Sequence, residues 1–287
     1  MENNQHREKV TTVFTDVGAH RFTADIIKRH STNQNDIRRI ALQGIDLSWC
    51  KTIFELGCGF GFFTEALRGK VHPEAVITGV DLVSEYESHF LEACSTAGVR
   101  GEFCSRGVSL LKDVRDRSVD LIICSFSLYF FPEVIPDIAR VLHDRGVLVA
   151  TVHNENNMEE LIGFAKEILG ESGMIHGDEK LPIEVFIKGF SSQSGYRLLA
   201  PWFRKITVRE FINTLVFEPG DMYCLMEYFR FKWPFFLSAA SHEMEPVFDL
   251  IEANLQKSYS NRLKSFTISK DDTIFVCAQP LPEKNAP

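Results

Sequence analysis

Three glycines at alternate positions, Gly57, Gly59 and Gly61, carry the clearest chemical signal in this chain. The apolar run Thr52–Leu56 before them predicts a buried strand, and the apolar spacing of 62–68 after them predicts a helix. Glycines at such a joint let the backbone turn sharply and let a ligand approach the amides. A helix N-terminus adds N–H groups that can bind it. The stretch therefore predicts a binding loop for a small polar ligand.

An acid follows this loop at the end of the next predicted strand. Val76–Val80 is an apolar run that predicts a buried strand, and Asp81 comes directly after it. An acid at the carboxyl end of this strand can accept hydrogen bonds from both ribose hydroxyls of a nucleotide. Asp81 could also cap a helix beginning near Ser84. Its pairing with the glycine loop favours the ribose contact.

The spacing of the loop argues against two common nucleotide motifs. A dinucleotide fingerprint needs a third glycine where this chain has Phe62, and a Walker A loop needs a lysine after the glycines. The remaining pattern, Glu55 followed by the glycine triplet, resembles the cofactor loop of class I S-adenosylmethionine-dependent methyltransferases. That resemblance implies S-adenosyl-L-methionine as the cofactor. The positions it implies as cofactor-binding are Glu55, Gly57, Cys58, Gly59, Gly61, Asp81, Leu82, Gly107, Val108, Ser125 and Phe126.

Two further residues are candidates for a catalytic role. The stretch 126–133 resembles the family's loop between cofactor and substrate, where Tyr129 either faces the acceptor or packs in the core. His153 follows the predicted strand 147–152, at the edge where open α/β sheets bind ligands. It is therefore the leading candidate for a general base, with a structural role as the alternative. The family's adenine-binding acid is missing after Cys104.

The alternation of strands and helices predicts an α/β fold. We expect a Rossmann-like, mostly parallel seven-stranded sheet with an antiparallel last strand and helices on both faces, plus a mainly helical insertion. The predicted strands 263–268 and 273–278, joined by the turn Asp271–Asp272, would form a hairpin. The expected parts are an N-terminal helical cover at 1–50, a core at 51–154 and 241–280, and the insertion at 155–240.

The insertion is rich in aromatic residues. Phe, Tyr and Trp make up 15 of its 86 residues, whereas they make up 11% of the whole chain. Helices are predicted at 208–215 and 221–229. Such a segment suits a lid over an apolar substrate pocket or, alternatively, a second hydrophobic core. The lid would be lined by some of the rings of Phe186, Phe190, Tyr196, Trp202, Tyr223 and Phe229.

Composition limits the partners. The net charge of −8 and the absence of a Lys/Arg run disfavour a nucleic-acid partner. The seven cysteines have no C-x-x-C spacing, so neither a metal site nor a disulfide framework is expected. No 18-residue apolar stretch or signal-like N-terminus is visible, which predicts a cytoplasmic protein without a membrane partner. The sequence does not indicate an oligomeric state.

These observations predict a methyltransferase acting on a small, apolar or aromatic metabolite. One alternative is methylation of a free carboxylate, held by a cation among Arg197, Arg204, Arg209 and Arg230. Another is a non-catalytic cofactor-binding protein with the same fold, which the missing acid after Cys104 would suit.

Overall fold

A computed structural model describes residues 13–176, 179–236, 244–260 and 265–281. Within these ranges the chain forms two compact units. The sheet unit contains the described residues of 35–154, 188–211 and 272–287, and the second unit contains those of 1–34, 155–187 and 212–271. This division differs from the predicted one, because residues 35–50 join the sheet unit and residues 241–271 join the second unit.

Nine strands and nine α-helices lie in the described ranges. The strands are β1 Thr52–Leu56, β2 Val76–Val80, β3 Arg100–Cys104, β4 Val119–Ser125, β5 Leu142–His153, β6 Phe203–Phe211, β7 Thr214–Phe217, β8 Phe266–Ser269 and β9 Asp272–Pro280. The helices are α1 Val17–His30, α2 Ile37–Leu42, α3 Glu87–Ala97, α4 Ile135–Val141, α5 Glu159–Glu171, α6 Pro182–Gly189, α7 Ser192–Leu199, α8 Met222–Lys232 and α9 Met244–Ser260.

Seven strands form one sheet in the order β3-β2-β1-β4-β5-β9-β6. Strands β1 to β5 pair in parallel, whereas β9 is antiparallel to both of its neighbours, β5 and β6. The predicted Rossmann-like sheet with one antiparallel strand is therefore confirmed. The carboxyl ends of the parallel strands β1 to β5 meet at one edge of the sheet. Every candidate site residue lies at that edge or just beyond it.

Both faces of the sheet are covered. Side chains of successive strand residues point to opposite faces, so Leu56 and Ile122 belong to one apolar core while Ile53 and Ile123 belong to the other. The first core includes residues of α4 and α7, and the second includes residues of α2 and α3. This continuous burial explains why the central strands read as unbroken apolar runs in the sequence.

Two predicted elements are wrong. The predicted helix 208–215 is instead the end of β6 and the start of β7, because β-branched Ile206, Thr207 and Val208 extend along β9 at the edge of the sheet. The predicted hairpin does not form, since β8 pairs with β7 in a separate two-stranded sheet while β9 pairs with β5 and β6. The seventh strand of the main sheet thus comes from the segment predicted to be an insertion.

The second unit has its own hydrophobic core. Helices α1 and α9 both pack on α8, and α5 packs on β8. The ring of Phe229 lies 5.6 Å from that of Phe248 and 5.4 Å from that of Trp233. His20, on α1, stacks on Phe231 at 5.3 Å, and burial lowers its pKa to about 3. The aromatic enrichment of this segment therefore builds a core. No helix in the described ranges is long and apolar enough to cross a membrane.

Candidate functional site

The glycine loop leaves β1 at the carboxyl edge of the sheet, as predicted. Gly57, Gly59 and Gly61 have φ angles of 64°, 48° and 79°, a backbone region that favours glycine. The Gly57 amide donates to the Val80 carbonyl at 2.7 Å, which ties the loop to the end of β2. A Cβ at Gly57 would lie 2.5 Å from the Cβ of Ser127. Glycine is therefore required by the local packing at position 57.

The side chain of Glu55, on β1, contacts the residues that follow the glycine loop. Its side chain is buried on β1, where its carboxylate accepts hydrogen bonds from the Thr64 hydroxyl and from the Phe63 amide. Burial raises the pKa of this carboxyl to about 7, although both hydrogen bonds act in the opposite direction. The carboxylate thus joins the residues before and after the glycines. A direct cofactor contact by Glu55 stays a prediction.

Asp81 holds the loop from its other side. One carboxylate oxygen accepts from the Gly59 amide at 2.9 Å, and the other accepts from the Val83 amide at 3.1 Å. Burial raises the pKa of Asp81, and its backbone hydrogen bonds moderate that rise. The acid and the glycine loop, 22 residues apart, are therefore in direct contact, as the predicted site requires.

Arg38 belongs to this site although its sequence signal is weak. Its guanidinium donates to the Phe62 carbonyl at 2.9 Å, lies 3.4 Å from Glu65, and sits 4.6 Å from the centre of the Phe62 ring. Asp36, which caps α2, accepts from the same guanidinium at 2.9 Å. Arg38 therefore fixes the end of the glycine loop to α2. A lone arginine in a polar N-terminal stretch gives no hint of this role.

Leu82 and Gly107 lie together beside Asp81. The Leu82 side chain is 64% exposed. Gly107 has a φ of 63°, and a Cβ there would lie 2.6 Å from Leu82. Val108 packs on the first core, and Arg106 pairs with Asp113 at the surface. This exposed apolar surface suits the face of a flat ring.

The segment after β4 connects the loop to the far side of the site. The Ser127 hydroxyl donates to the Leu56 carbonyl at 2.8 Å, and the Phe126 amide donates to the Thr151 carbonyl at 2.8 Å. Phe126 has a φ of 53°, which is rare for an aromatic residue and typical of strained functional positions. The Ser125 hydroxyl is buried and makes no hydrogen bond within the described ranges.

His153 is the last residue of β5, and its partner is Asp272. The sequence predicts Asp272 to lie in a turn, but it is the first residue of β9. The two side chains are buried, with 2.7 Å between His153 Nδ1 and a carboxylate oxygen of Asp272. The imidazole ring stacks on Phe126 at 4.8 Å and on Tyr129 at 5.7 Å. Burial, followed by the negative charge of Asp272, raises the pKa of Tyr129, so its hydroxyl stays protonated at neutral pH.

The residues predicted to line a lid are divided between different environments. Phe190 is fully buried against Phe275 in the first core of the sheet unit, and Phe229 is fully buried in the second unit. Tyr196 and Tyr223 are instead more than half exposed. Phe190 and Phe229 therefore fill protein cores, and a lid lined by others of the six rings stays a prediction. A covering role for the second unit stays a prediction.

Two of the arginines proposed as carboxylate ligands have protein partners. The guanidinium of Arg209 donates to the carbonyls of Ile40, Ala41 and Gln43, which ties β6 to α2. Arg230 lies 3.4 Å from Glu252 and 3.8 Å from Glu227. These contacts give both guanidinium groups a structural role.

Comparison with known proteins agrees with this geometry. A family model described as a methyltransferase domain matches residues 53–146, which include the glycine loop, Asp81 and the segment after β4. A comparison with curated protein sequences finds no match.

Solved structures share the fold at low sequence identity. A candidate methyltransferase of Bacillus halodurans has a TM-score of 0.53 at 12% identity, over 85% of this chain and 99% of that one. The YcgJ protein of Bacillus subtilis has a TM-score of 0.50 at 12% identity, over 85% and 97%. The [4+2]-cyclase SpnF has a TM-score of 0.50 at 13% identity, over 91% and 93%. At these identities the similarity establishes the fold, and the cyclase illustrates that one fold serves several reactions.

Proposed function

We propose that this chain, whose residues 53–146 match a methyltransferase-domain model, is an S-adenosylmethionine-dependent methyltransferase that methylates a small apolar or aromatic molecule. The observation that carries the proposal is the pair of half-buried rings, Phe126 and Tyr129, beside the His153 imidazole at the carboxyl edge of the sheet. Ligands of open α/β sheets bind at that edge, and flat apolar acceptors pack well on aromatic faces.

The residues present fit the cofactor. Asp81 would accept the ribose hydroxyls, and the backbone of Gly57 to Gly61 would hold the amino-acid end. Leu82, Gly107 and Val108 would form the surface under the adenine ring, which compensates for the missing acid after Cys104. The Ser125 hydroxyl, buried and without a hydrogen-bond partner in the described ranges, is a group that a polar ligand would satisfy.

The reaction follows from this arrangement. When bound, the cofactor supplies a methyl group on a positively charged sulfur, which is a good leaving group. The main task of the chain is therefore to hold the acceptor in line with that methyl group and to keep water away. The strained backbone at Phe126 and the rings beside it keep this edge of the site rigid and apolar.

The charge of the chain supports a small-molecule role. The net charge of −8 suits neither a nucleic acid nor an anionic membrane surface. Two of the four arginines that the carboxylate-methylating alternative could use, Arg209 and Arg230, already contact protein groups.

Two measurements test the proposal. Calorimetry should detect binding of S-adenosylhomocysteine to the purified protein. Incubation with labelled S-adenosylmethionine and fractionated metabolite extracts should then transfer the label to small apolar molecules. Transfer of the label only to nucleic acid or protein would refute the acceptor class. Failure to bind the cofactor product would refute the function itself.

A further inference from the structure

Strand β6, Phe203–Phe211, is an edge strand of the seven-stranded sheet, with β9 on one side only. Within the described ranges, its backbone amides and carbonyls bond no part of the chain other than β9. The middle of the strand is also open to solvent. An edge with unpaired amides and carbonyls is a template for one more strand. Strand β6 can therefore accept a strand from another chain.

The charges on this edge are available to a partner. Arg204, Lys205 and Glu210 are exposed, and their side chains make no hydrogen bond or ion pair within the part of the chain that the structure describes. Charged residues on an edge strand usually prevent unspecific pairing. They admit a partner only if its own charges are complementary.

The order of residues in β6 is nearly symmetric about Thr207. When two copies pair antiparallel with Thr207 opposite Thr207, each residue before this position faces the residue that follows it at the same distance in the other copy. The facing pairs are Ile206 with Val208, Lys205 with Arg209, Arg204 with Glu210, and Phe203 with Phe211. The strand thus brings β-branched side chains together at the centre and opposite charges together further out, both of which stabilise a strand pair.

One facing pair has like charges, Lys205 with Arg209. The guanidinium of Arg209 donates to the carbonyls of Ala41 at 3.1 Å and Gln43 at 2.8 Å in its own chain. These bonds draw its charge toward α2 and away from the strand edge. The repulsion of Lys205 is therefore smaller than the attraction between Arg204 and Glu210.

Apolar surface lies beside the same edge. Helix α7 packs against β6 and β9, and a Cβ at its Gly195 would lie 2.7 Å from the ring of Phe275. Phe275 is the residue of β9 opposite Val208. Tyr196, next on α7, is 55% exposed, and Val208 is 45% exposed. Exposed apolar side chains beside an unpaired strand are typical of a protein interface.

We propose that β6 pairs antiparallel with β6 of a second copy of this chain, which joins two seven-stranded sheets into one. The two-fold axis passes beside Thr207, and both copies use the same surface. One strand pair with its flanks is small for a permanent dimer, so the dissociation constant should be micromolar. The contact is separate from the proposed function, since no residue of β6 is a candidate cofactor-binding or catalytic residue.

Sedimentation velocity of the full chain over a micromolar concentration series measures the dimer. Arg204→Glu places a glutamate opposite Glu210 at both symmetry-related contacts and should raise the dissociation constant by about tenfold or more. Lys205→Glu makes the same change of charge one residue further on but faces Arg209, so its dimer should be at least as stable as that of the wild type. Combining Arg204→Glu with Glu210→Arg should restore the wild-type dissociation constant.

Cysteine substitutions test the register. Thr207→Cys places two thiols opposite each other, with Cα atoms about 4.5–5.5 Å apart, which is within the range of a disulfide. Lys205→Cys is the matched control, because its two copies lie four residues apart along the strands, about 13 Å. After mild oxidation, a non-reducing gel should show a covalent dimer for Thr207→Cys only. These variants keep Arg204 and Glu210, so they test the pairing even if a charge reversal unfolds the chain.

Several results would overturn the inference. A wild type that stays monomeric at every concentration would exclude the second copy and leave the edge to a strand of another protein. A folded Arg204→Glu that dimerises as the wild type does, or equal weakening by Arg204→Glu and Lys205→Glu, would exclude the pairing of charges. Failure of the double variant to restore the dimer would exclude it too. Cross-linking of Lys205→Cys in preference to Thr207→Cys would exclude the register.

Discussion

Glu55→Gln should remove a specific pH dependence of stability. The Glu55 carboxyl has a pKa of about 7 in the folded chain, raised by burial above its usual value of 4.5. Below pH 4.5 the group is protonated in both the folded and the unfolded chain. As the pH rises from 4.5 to 7, the unfolded chain ionises while the folded chain keeps the proton. The free energy of unfolding therefore falls over this window and is level again above it.

The size of the effect follows from the same values. The difference between 4.5 and about 7, at about 1.4 kcal/mol per pH unit, amounts to about 3 kcal/mol. The side chain is buried, so solvent screening reduces this only slightly. The amide introduced by Glu55→Gln would keep one acceptor oxygen for the Phe63 amide, would place its NH₂ group beside the Thr64 hydroxyl, and would carry no charge at any pH. The stability difference between wild type and Glu55→Gln should thus change by about 3 kcal/mol across the window.

Urea unfolding at a series of pH values from 4 to 8 measures this difference. Glu92 is an exposed glutamate on α3, so Glu92→Gln is the matched control and should follow the wild type at every pH. A gap between wild type and Glu55→Gln that stays constant over this range would refute the reasoning. It would mean that the Glu55 carboxyl ionises with an ordinary pKa despite its burial.

Other substitutions test the cofactor site and the two cores. Asp81→Ala should weaken the binding of S-adenosylhomocysteine by about 10- to 150-fold in calorimetry, because a hydrogen bond to a charged acceptor contributes about 1.5–3 kcal/mol. An unchanged affinity would show that Asp81 does not contact the ligand. Gly59→Val should abolish that binding while the circular dichroism spectrum stays native, since φ is 48° at this position. Normal binding would mean that the loop only connects β1 to the next element and does not bind the ligand. Gly61→Ala should destabilise the chain more than Gly98→Ala in thermal unfolding. Both positions have positive φ, but only Gly61 has a neighbour, Ala93, within 2.6 Å of the new Cβ; equal losses would contradict the packing argument. Phe190→Ala should cost about 3–5 kcal/mol of stability in urea unfolding, and a loss below about 1 kcal/mol would contradict its place in the core.

The sequence predicts the centre of the sheet better than its far edge. Strands such as β1 and β4 are buried on both faces, so their apolar runs are visible without any tertiary information. The edge strand β6 alternates irregularly between exposed and buried residues, and its apolar spacing resembles that of a helix. A strand of this kind is defined by its partner β9, which lies more than 60 residues later.

The candidate site shows the same limit. Asp81 and the glycines were predictable, because local spacing alone places them at the ends of neighbouring strands. Asp272 was missed because its role depends on the pairing of β5 with β9, a contact across 119 residues. Arg38 was missed because its guanidinium acts on a carbonyl 24 residues away. Local sequence gives the type of the Glu55 side chain but not the direction in which it points.

The position of β9 has a consequence for biosynthesis. It is an interior strand, yet it is made after both strands between which it lies. Until residues 272–280 have emerged from the ribosome, the backbone amides and carbonyls of β5 and β6 that will bond β9 have no partners in the sheet. The nascent chain thus has two unpaired strand edges between the synthesis of β6 and that of β9, and holdase chaperones should associate with it during that interval. The contact between His153 and Asp272 also forms only when β9 pairs with β5, so this edge of the sheet is completed by the last strand to be made.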